Sequence, residues 1–347
     1  MRLRSSTCAW ILFSWLVALS PLCPVHAQNS RLYVGNSVAD TITVIDLTSL
    51  KVVGEFKAGP HVHGMAVQAD GTRLFTTSEL DNTLRILDPS TGKLINEIKL
   101  TGRPNQCAVT SDGKYVAVPI RDGDAVDIVE VAQAKVVKVL PLKGPHNAFN
   151  AGSNRYLFAS SMDSDAIQTI DLETMDYSAN TPVSGVPRPF VVTRDGRLMY
   201  VALSDLHGFV IVDIAAKKVI RRVEIPAEHA HPHQRPNEPI NTLTHGLALT
   251  PDESELWVTS LLDDAMYVYD VKAQKIVGHV PTGNGPNWVA FSPDGKYVCV
   301  SNADSDDVSI IDVKARKEVT RLKVGRVPKR LVVGRVPAGE LTQQSAK

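Results

Sequence analysis

Residues 291–325 read "FSPDGKYVCVSNADSDDVSIIDVKARKEVTRLKVG". Asp294-Gly295 is a tight-turn pair, because glycine takes positive φ at little steric cost. The segments on either side, "YVCVS", "VSIIDV" and "EVTRLKV", alternate apolar and polar residues and are rich in Val, Ile and Thr. That is the pattern of half-buried strands, with a side-chain period of two. Thirty-odd residues thus spell strand, short polar loop, strand, turn, strand, and no stretch carries helical spacing.

The same phrase recurs along the chain. "TITVIDLTSLKVV", "TLRILDPSTGKLI", "AVDIVEVAQAKVV", "AIQTIDLETMDYS", "GFVIVDIAAKKVI" and "AMYVYDVKAQKIV" repeat its second half. "RLYVGN", "RLFTTS", "KYVAVP", "RYLFAS", "RLMYVA" and "ELWVTS" repeat its first strand, and "VQADG", "VTSDG", "VTRDG" and "LTPDE" its turn. Each unit opens at Val62, Pro104, Pro145, Pro187, Thr244, Pro286 or Pro328, at intervals of 42, 41, 42, 57, 42 and 42. A four-stranded unit of this length, repeated, predicts an all-β fold: a seven-bladed β-propeller with four antiparallel strands per blade. Three strands over about 31–57 and one more in "KRLVVGRV" predict that a composite blade from the two ends closes the ring, which removes the exposed sheet edges.

The "YVTN"-like strand, the "SPDGK" turn and the "VIDVKARKEV" strand pair resemble the YVTN family of exported seven-bladed propellers, over about residues 31–336. The resemblance implies fold more than function. Relatives of that architecture include lactonases, the heavy chain of amine dehydrogenases, the d1-haem domain of nitrite reductases, and propellers associated with quinone-cofactor-dependent oxidation. Fold does not choose among them.

The first 27 residues are of another kind. Arg2 and Arg4 precede the apolar run "CAWILFSWLVALSPLC", and "VHA" at 25–27 offers small residues to a signal peptidase. We expect a signal peptide at 1–27, a propeller at 28–337 and a disordered tail at 338–347, with a periplasmic or secreted location. An N-terminal anchor helix, or a lipoprotein through Cys23, are the alternatives. Beyond Ala27 no apolar stretch is long enough to span a membrane, and only Cys107 and Cys299 remain, expected as buried inert thiols in separate blades. No C-x-x-C-H motif offers covalent haem attachment. Lys and Arg total 37, as do Asp and Glu, so no global charge points to nucleic acid. A monomer is expected.

The innermost strand of a blade lines the channel, so the residue after each opening position rims the top mouth. These residues are His63, Asn105, His146, Arg188, His245, Asn287 and Lys329. All are polar and five can be cationic, which suits an anionic or carbonyl-bearing ligand at a wet rim. Trp288 lies beside this ring, and Trp257 is expected in the core. The second-to-third-strand loops supply Asp81, Asp122, Asp124, Asp163, Asp165, Asp205, Asp263, Asp264, Asp304 and Asp306, which suit tight turns and read as structural. His207 belongs to that outer set, and His279 reads as structural in an outer strand.

The 57-residue interval carries an insert at 227–241, "AEHAHPHQRPNEPIN", feeding the strand that holds His245. Its three prolines argue for a lid over the mouth. In extended chain His229, His231 and His233 would share one face, about 6–7 Å apart. With His245 they are the expected metal ligands, for Zn²⁺ or Cu²⁺, with Glu228, Arg235 and Glu238 as orienting partners. His63 and His146 could complete the set, and His61 in "GPHVHG" is a weaker candidate. A lid touching an organic ligand without metal, and a solvated loop, remain open. The sequence therefore supports two readings. One is a binding protein that presents its top face to a small molecule or a partner protein. The other is a periplasmic enzyme or cofactor-handling protein, a lactonase-like hydrolase or redox accessory, using the rim histidines.

Overall fold

The computed structural model describes residues 28–226 and 242–337, so the leader, the insert with His229, His231 and His233, and the tail lie outside the described residues. Seven four-stranded antiparallel sheets are arranged as blades of one ring. Blade 1 runs from Val62–Val67 at the channel outward through Leu74–Ser78 and Thr83–Leu87 to Leu94–Lys99. Blades 2 to 6 repeat this order, with innermost strands at Ala108–Val109, Pro145–Phe149, Pro187–Val192, Thr244–Leu249 and Pro286–Phe291. Blade 7 is composite. Pro328–Pro337 is its inner strand and pairs antiparallel with Gln28–Asn36, followed by Thr41–Asp46 and Lys51–Lys57. Among the described residues no helix is long and apolar enough to cross a membrane.

The core explains the sequence pattern. It is divided into seven apolar layers, each between two neighbouring blades. Phe75 and Leu84 of blade 1 meet Cys107, Val116 and Val118 of blade 2, for example, and Leu32, Ile45 and Leu331 of blade 7 meet Cys299 and Ile310 of blade 6. A middle strand is covered on both faces, so Leu256, Trp257 and Val258 are all fully buried. An outermost strand such as Lys317–Lys323 has one covered face and alternates. Cys107 and Cys299 are free and buried, and burial pushes both thiols up to about 12.

The loop aspartates are structural, as the sequence reading holds. Asp124, Asp264 and Asp306 sit at positive φ and accept the amides of Gly144, Gly285 and Val327, each just before the next blade opens. Asp122 does the same for Arg103. On the other face, Asp46, Asp270 and Asp312 accept amides of the third-to-fourth-strand turns. Short polar side chains replace the backbone partners that a tight turn removes.

One irregularity recurs at the hub. The inner strand pairs normally at its opening residue, then slips, with register shifts at Val62/Met65, Pro145/Ala148, Pro187/Phe190, Thr244/Leu247 and Pro286/Trp288. The bulge leaves an amide without a ladder partner, and a hydroxyl of the second strand takes it. Gly64 N donates to Thr77 Oγ1 at 2.6 Å, Asn147 N to Ser160 Oγ at 2.9 Å, Gly246 N to Thr259 Oγ1 at 2.9 Å and Trp288 N to Ser301 Oγ at 3.1 Å. Blades approach closely here. A Cβ on Gly246 would lie 2.6 Å from the Asn287 carbonyl oxygen and 2.9 Å from Trp288 Cα, which only glycine avoids.

Thr259→Val keeps the shape but strips the acceptor from Gly246 N and from His245 N, which lies at 3.3 Å. A buried unsatisfied amide costs about 1–3 kcal/mol. Urea unfolding should show a loss in that range with an unchanged m-value; a change of a few tenths would mean the bulge does not need this hydroxyl.

Candidate functional site

The bulge has a consequence for chemistry. In a regular strand successive side chains face opposite ways, but here Gln106, Trp288 and Arg330, each the second residue after an opening position, join the first at the channel mouth. The first residues form the ring read from sequence. His63, Asn105, His146, His245 and Asn287 are buried, and Arg188 and Lys329 are half-buried. The expected wet rim is therefore corrected: five of the seven sit below the surface, because neighbouring blades and the second ring close over them.

The second ring supplies what the sequence reading missed, above all Arg330. Its guanidinium is 2% exposed and lies 4.2 Å over the Trp288 ring, a cation–π arrangement. It donates from Nε to Gln106 Oε1 at 3.3 Å, from Nη1 to Asn287 Oδ1 at 3.2 Å and the Lys329 carbonyl at 3.1 Å, and from Nη2 to His63 Nε2 at 2.8 Å. A second signal was also available. The residue just after each second strand folds back on the inner strand, with Glu79, Arg121 and Ser204 donating their amides to His61, Arg103 and Val186. Their side chains belong to the mouth. Ser204 Oγ accepts from Arg188 Nε at 2.6 Å, and Glu79 contacts His63 Nδ1 at 2.6 Å and His61 Nδ1 at 3.1 Å, with Arg121 Nη1 at 3.8 Å.

The side chains form a nearly continuous arc. Arg188 Nη1 stands 3.4 Å from His146 Nε2, and the His146 and His245 rings meet edge-on at 6.2 Å. His245 packs on Trp288 at 6.0 Å, and Trp288 carries Arg330, which reaches His63. His245 Nδ1 donates to the Asn287 carbonyl at 2.9 Å, which leaves its Nε2 as the acceptor or metal-ligating atom. His146 Nδ1, Asn105 Nδ2 and Asn147 Oδ1 are buried with no hydrogen-bond partner. Orphaned polar atoms are rare in folded proteins and cluster where a ligand or water completes them.

All three imidazoles are held neutral. Burial lowers His63 to about 3, helped by the Arg330 guanidinium. Burial followed by Arg188 pushes His146 well below its ordinary value, and burial followed by Arg330 does so for His245. For Glu79 burial alone would raise the carboxyl, but its contacts with His61 and His63 outweigh it and hold it far below the carboxylate range. Among the described residues, His61, His63 and Glu79 are the one group of metal-ligating donors that lies close together.

The other candidates separate from the mouth. His207 Nε2 meets Ser260 Oγ at 2.8 Å in an outer polar cluster with Tyr267, Asp263 and His279. Ser260 is fully buried, at the position where Ser78 and Ser161 anchor loop carbonyls, so the contact reads as structural. A recess on the opposite face, lined by Pro251, Glu255, Lys296 and Arg316, is a gap between turns of blades 5 and 6.

Comparison with known proteins places the fold. A YNCE-like β-propeller family matches residues 99–234, and a seven-bladed lactonase propeller family matches 231–333. The matching families thus carry those names rather than YVTN. No curated protein matches the chain. A functionally unknown protein from Desulfotomaculum acetoxidans DSM 771 superposes with a TM-score of 0.73 at 12% identity, covering 88% of this chain and 98% of its own. A protein from Bacteroides fragilis NCTC 9343, provisionally named a 6-phosphogluconolactonase, gives 0.71 at 16%, covering 90% and 99%. The dihydro-heme d1 dehydrogenase NirN in complex with DHE gives 0.64 at 17%, covering 91% and 78%. At these identities the likeness is one of fold.

A buried imidazole titrates below its unfolded value of about 6.5. Between the two values the unfolded chain binds more protons, so stability is full above pH ~6.5 and is lost as pH falls toward the folded value. Thermal melts from pH 7.5 to pH 5 should show falling midpoints, and His146→Asn should flatten that slope. An identical slope in the variant would show that His146 is not held neutral.

Proposed function

We propose that the protein is an exported binding propeller whose channel mouth takes a small organic anion, a carboxylate or a carbonyl-bearing acid. The observation that carries this reading is the convergence of Arg188 and Arg330, from blades 4 and 7, on His146 and His245, beside buried polar atoms that lack partners. Two guanidiniums concentrate positive potential in a low-dielectric recess. Neutral imidazoles add directional hydrogen bonds without adding charge. In this reading the half-buried Arg188 and Lys329 contact the anion directly, His146 and His245 orient it, and Arg330 acts from beneath through its field. The insert at 227–241 joins the strand bearing His245 and is proposed as the cover. Export rests on the leader-like first 27 residues, and a monomer on the closed ring.

A second reading is favoured by the lactonase family match over 231–333. A neutral His146 or His245 would take a proton from attacking water, and Arg188 would hold the oxyanion of a lactone carbonyl. The two readings share residues and differ in turnover.

Calorimetric titration with acetate, oxalate, citrate, gluconate and phosphate, at matched ionic strength, tests the site. At least one organic anion should bind, and Arg188→Gln should weaken it about tenfold, the worth of one charge-assisted hydrogen bond. Equal, negligible response to every anion in both proteins would sink the proposal. Gluconolactone hydrolysis above the buffer rate, lost in His146→Asn, would instead select the hydrolase.

A further inference from the structure

We propose that His61, His63 and Glu79 form a site for a divalent transition metal on blade 1, at the edge of the channel mouth. His61 Nδ1 lies 3.1 Å from Glu79 Oε2 and His63 Nδ1 lies 2.6 Å from Glu79 Oε1, and one donor atom from each residue falls within 4.8 Å of the others. A tetrahedral ion about 2.0–2.2 Å from each donor needs donors roughly 3.3 Å apart, so small rotamer adjustments suffice. Two imidazoles and one carboxylate, with a position left open, are a donor set that suits Zn²⁺, Fe²⁺ or Co²⁺.

An alternative is a carboxylate that merely accepts two imidazole N–H bonds. In the metal-free chain Glu79 does face both imidazoles, but at poor angles. His61 Nδ1, His63 Nδ1 and Glu79 Oε1 are all buried, and none of the three makes an aligned hydrogen bond despite the short separations. Contacts this short but poorly aligned are readily replaced by bonds from all three donors to one ion. Placement within the repeat adds to this. His61 has φ of 54° at the position before an opening residue, where Gly144, Gly285 and Val327 of blades 3, 6 and 7 are also at positive φ, so the backbone shape belongs to the repeat and the imidazole is what is particular to blade 1. A left-handed histidine costs on the order of 1 kcal/mol relative to glycine. Glu79 is the only acid among the seven residues that follow a second strand, the others being Arg121, Met162, Ser204, Leu261, Ala303 and Ser37.

Metal binding has a consequence at the hub. A neutral His63 that accepts from Arg330 at Nε2 carries its proton on Nδ1. A metal that takes the Nδ1 lone pair moves that proton to Nε2, and Arg330 Nη2 loses this acceptor while the guanidinium keeps Gln106, Asn287 and the Lys329 carbonyl. Occupancy on blade 1 is thereby coupled to the central arginine. The metal site stands on its own donors and does not depend on the anion reading.

The test uses the mature chain with His229→Asn, His231→Asn and His233→Asn, which removes the competing insert imidazoles. Titration with Co²⁺ or Zn²⁺ against a chromogenic chelator, without added organic anion, should give one ion per chain, with Co²⁺ showing visible ligand-field bands. Glu79→Gln should weaken binding by at least about tenfold. His61→Asn should do the same, since asparagine tolerates positive φ and keeps the backbone. Histidine ¹⁵N spectra should show the His63 proton moving from Nδ1 to Nε2 on loading. Apo variants that melt like the parent yet bind as tightly would overturn the site, as would a parent that binds no ion. Should Glu79→Gln fail to fold, His61→Asn and the ¹⁵N shift decide.

Discussion

The whole hub depends on the pairing of Pro328–Pro337 with Gln28–Asn36. That ladder makes blade 7 from two distant ends of the chain, with Leu32 opposite Val333 and Val34 opposite Leu331. It also carries Arg330 into the centre, where its guanidinium reaches His63, 267 residues away in sequence. Without closure the apolar layers on both sides of blade 7 would face water, and the mouth would lose its central cation. Ring closure and site assembly are therefore one event. In an open array of repeats they would be separable, since each repeat there contacts only its neighbours.

The inner-strand bulge is the second constraint. A regular strand would send only alternate residues to the channel and keep every amide in the ladder. In blades 1, 3, 5 and 6 the slip takes an amide out of the ladder, and the second-strand hydroxyls of Thr77, Ser160, Thr259 and Ser301 accept it. In return consecutive side chains become available at the hub where the second residue is not glycine, as at Asn287 with Trp288 and Lys329 with Arg330. Thr77 Oγ1 also donates to the Asn105 carbonyl of blade 2 at 2.7 Å, so the device that repairs the bulge ties neighbouring blades together. Bulges that re-aim side chains are common beside functional sites, and here the same re-aiming is repeated around an axis.

Much of this was legible in the sequence, for a physical reason. A 42-residue period converts equivalent positions into spatial neighbours, so His63, His146, Arg188 and His245 could be grouped without knowing any distance. Arg330 escaped for the complementary reason, and Glu79 because it lies in a second-to-third-strand loop, a class read as outer. Strict alternation directs the second residue after an opening position away from the channel, and a bulge, which leaves no mark in the apolar pattern, cancels that expectation. Trp288 fell at the same position and was noticed only as an aromatic. Burial was misjudged because seven polar residues in a row of equivalents look wet. The structure buries five of them, with Trp288 packed between His245 and Arg330. The insert histidines lie outside the described residues, so the sequence reading of them stands where it was.

A chain with balanced charge has concentrated two guanidiniums and three buried imidazoles in one recess. Stability alone does not select this. Burying a cation costs several kcal/mol before its partners offset it, and the neighbouring imidazoles can help only while neutral. The apolar layers between blades would pack equally well around a hub of serines and threonines, as the second-strand positions already do. Departures from the repeat gather at the mouth: a lone acid in its repeat class, and an arginine 2% exposed that is stacked on a half-buried tryptophan. In a repeat fold, where the regular solution is written out six or seven times for comparison, such departures are measured against the protein's own standard. They mark the part of the ring that the need to fold explains least.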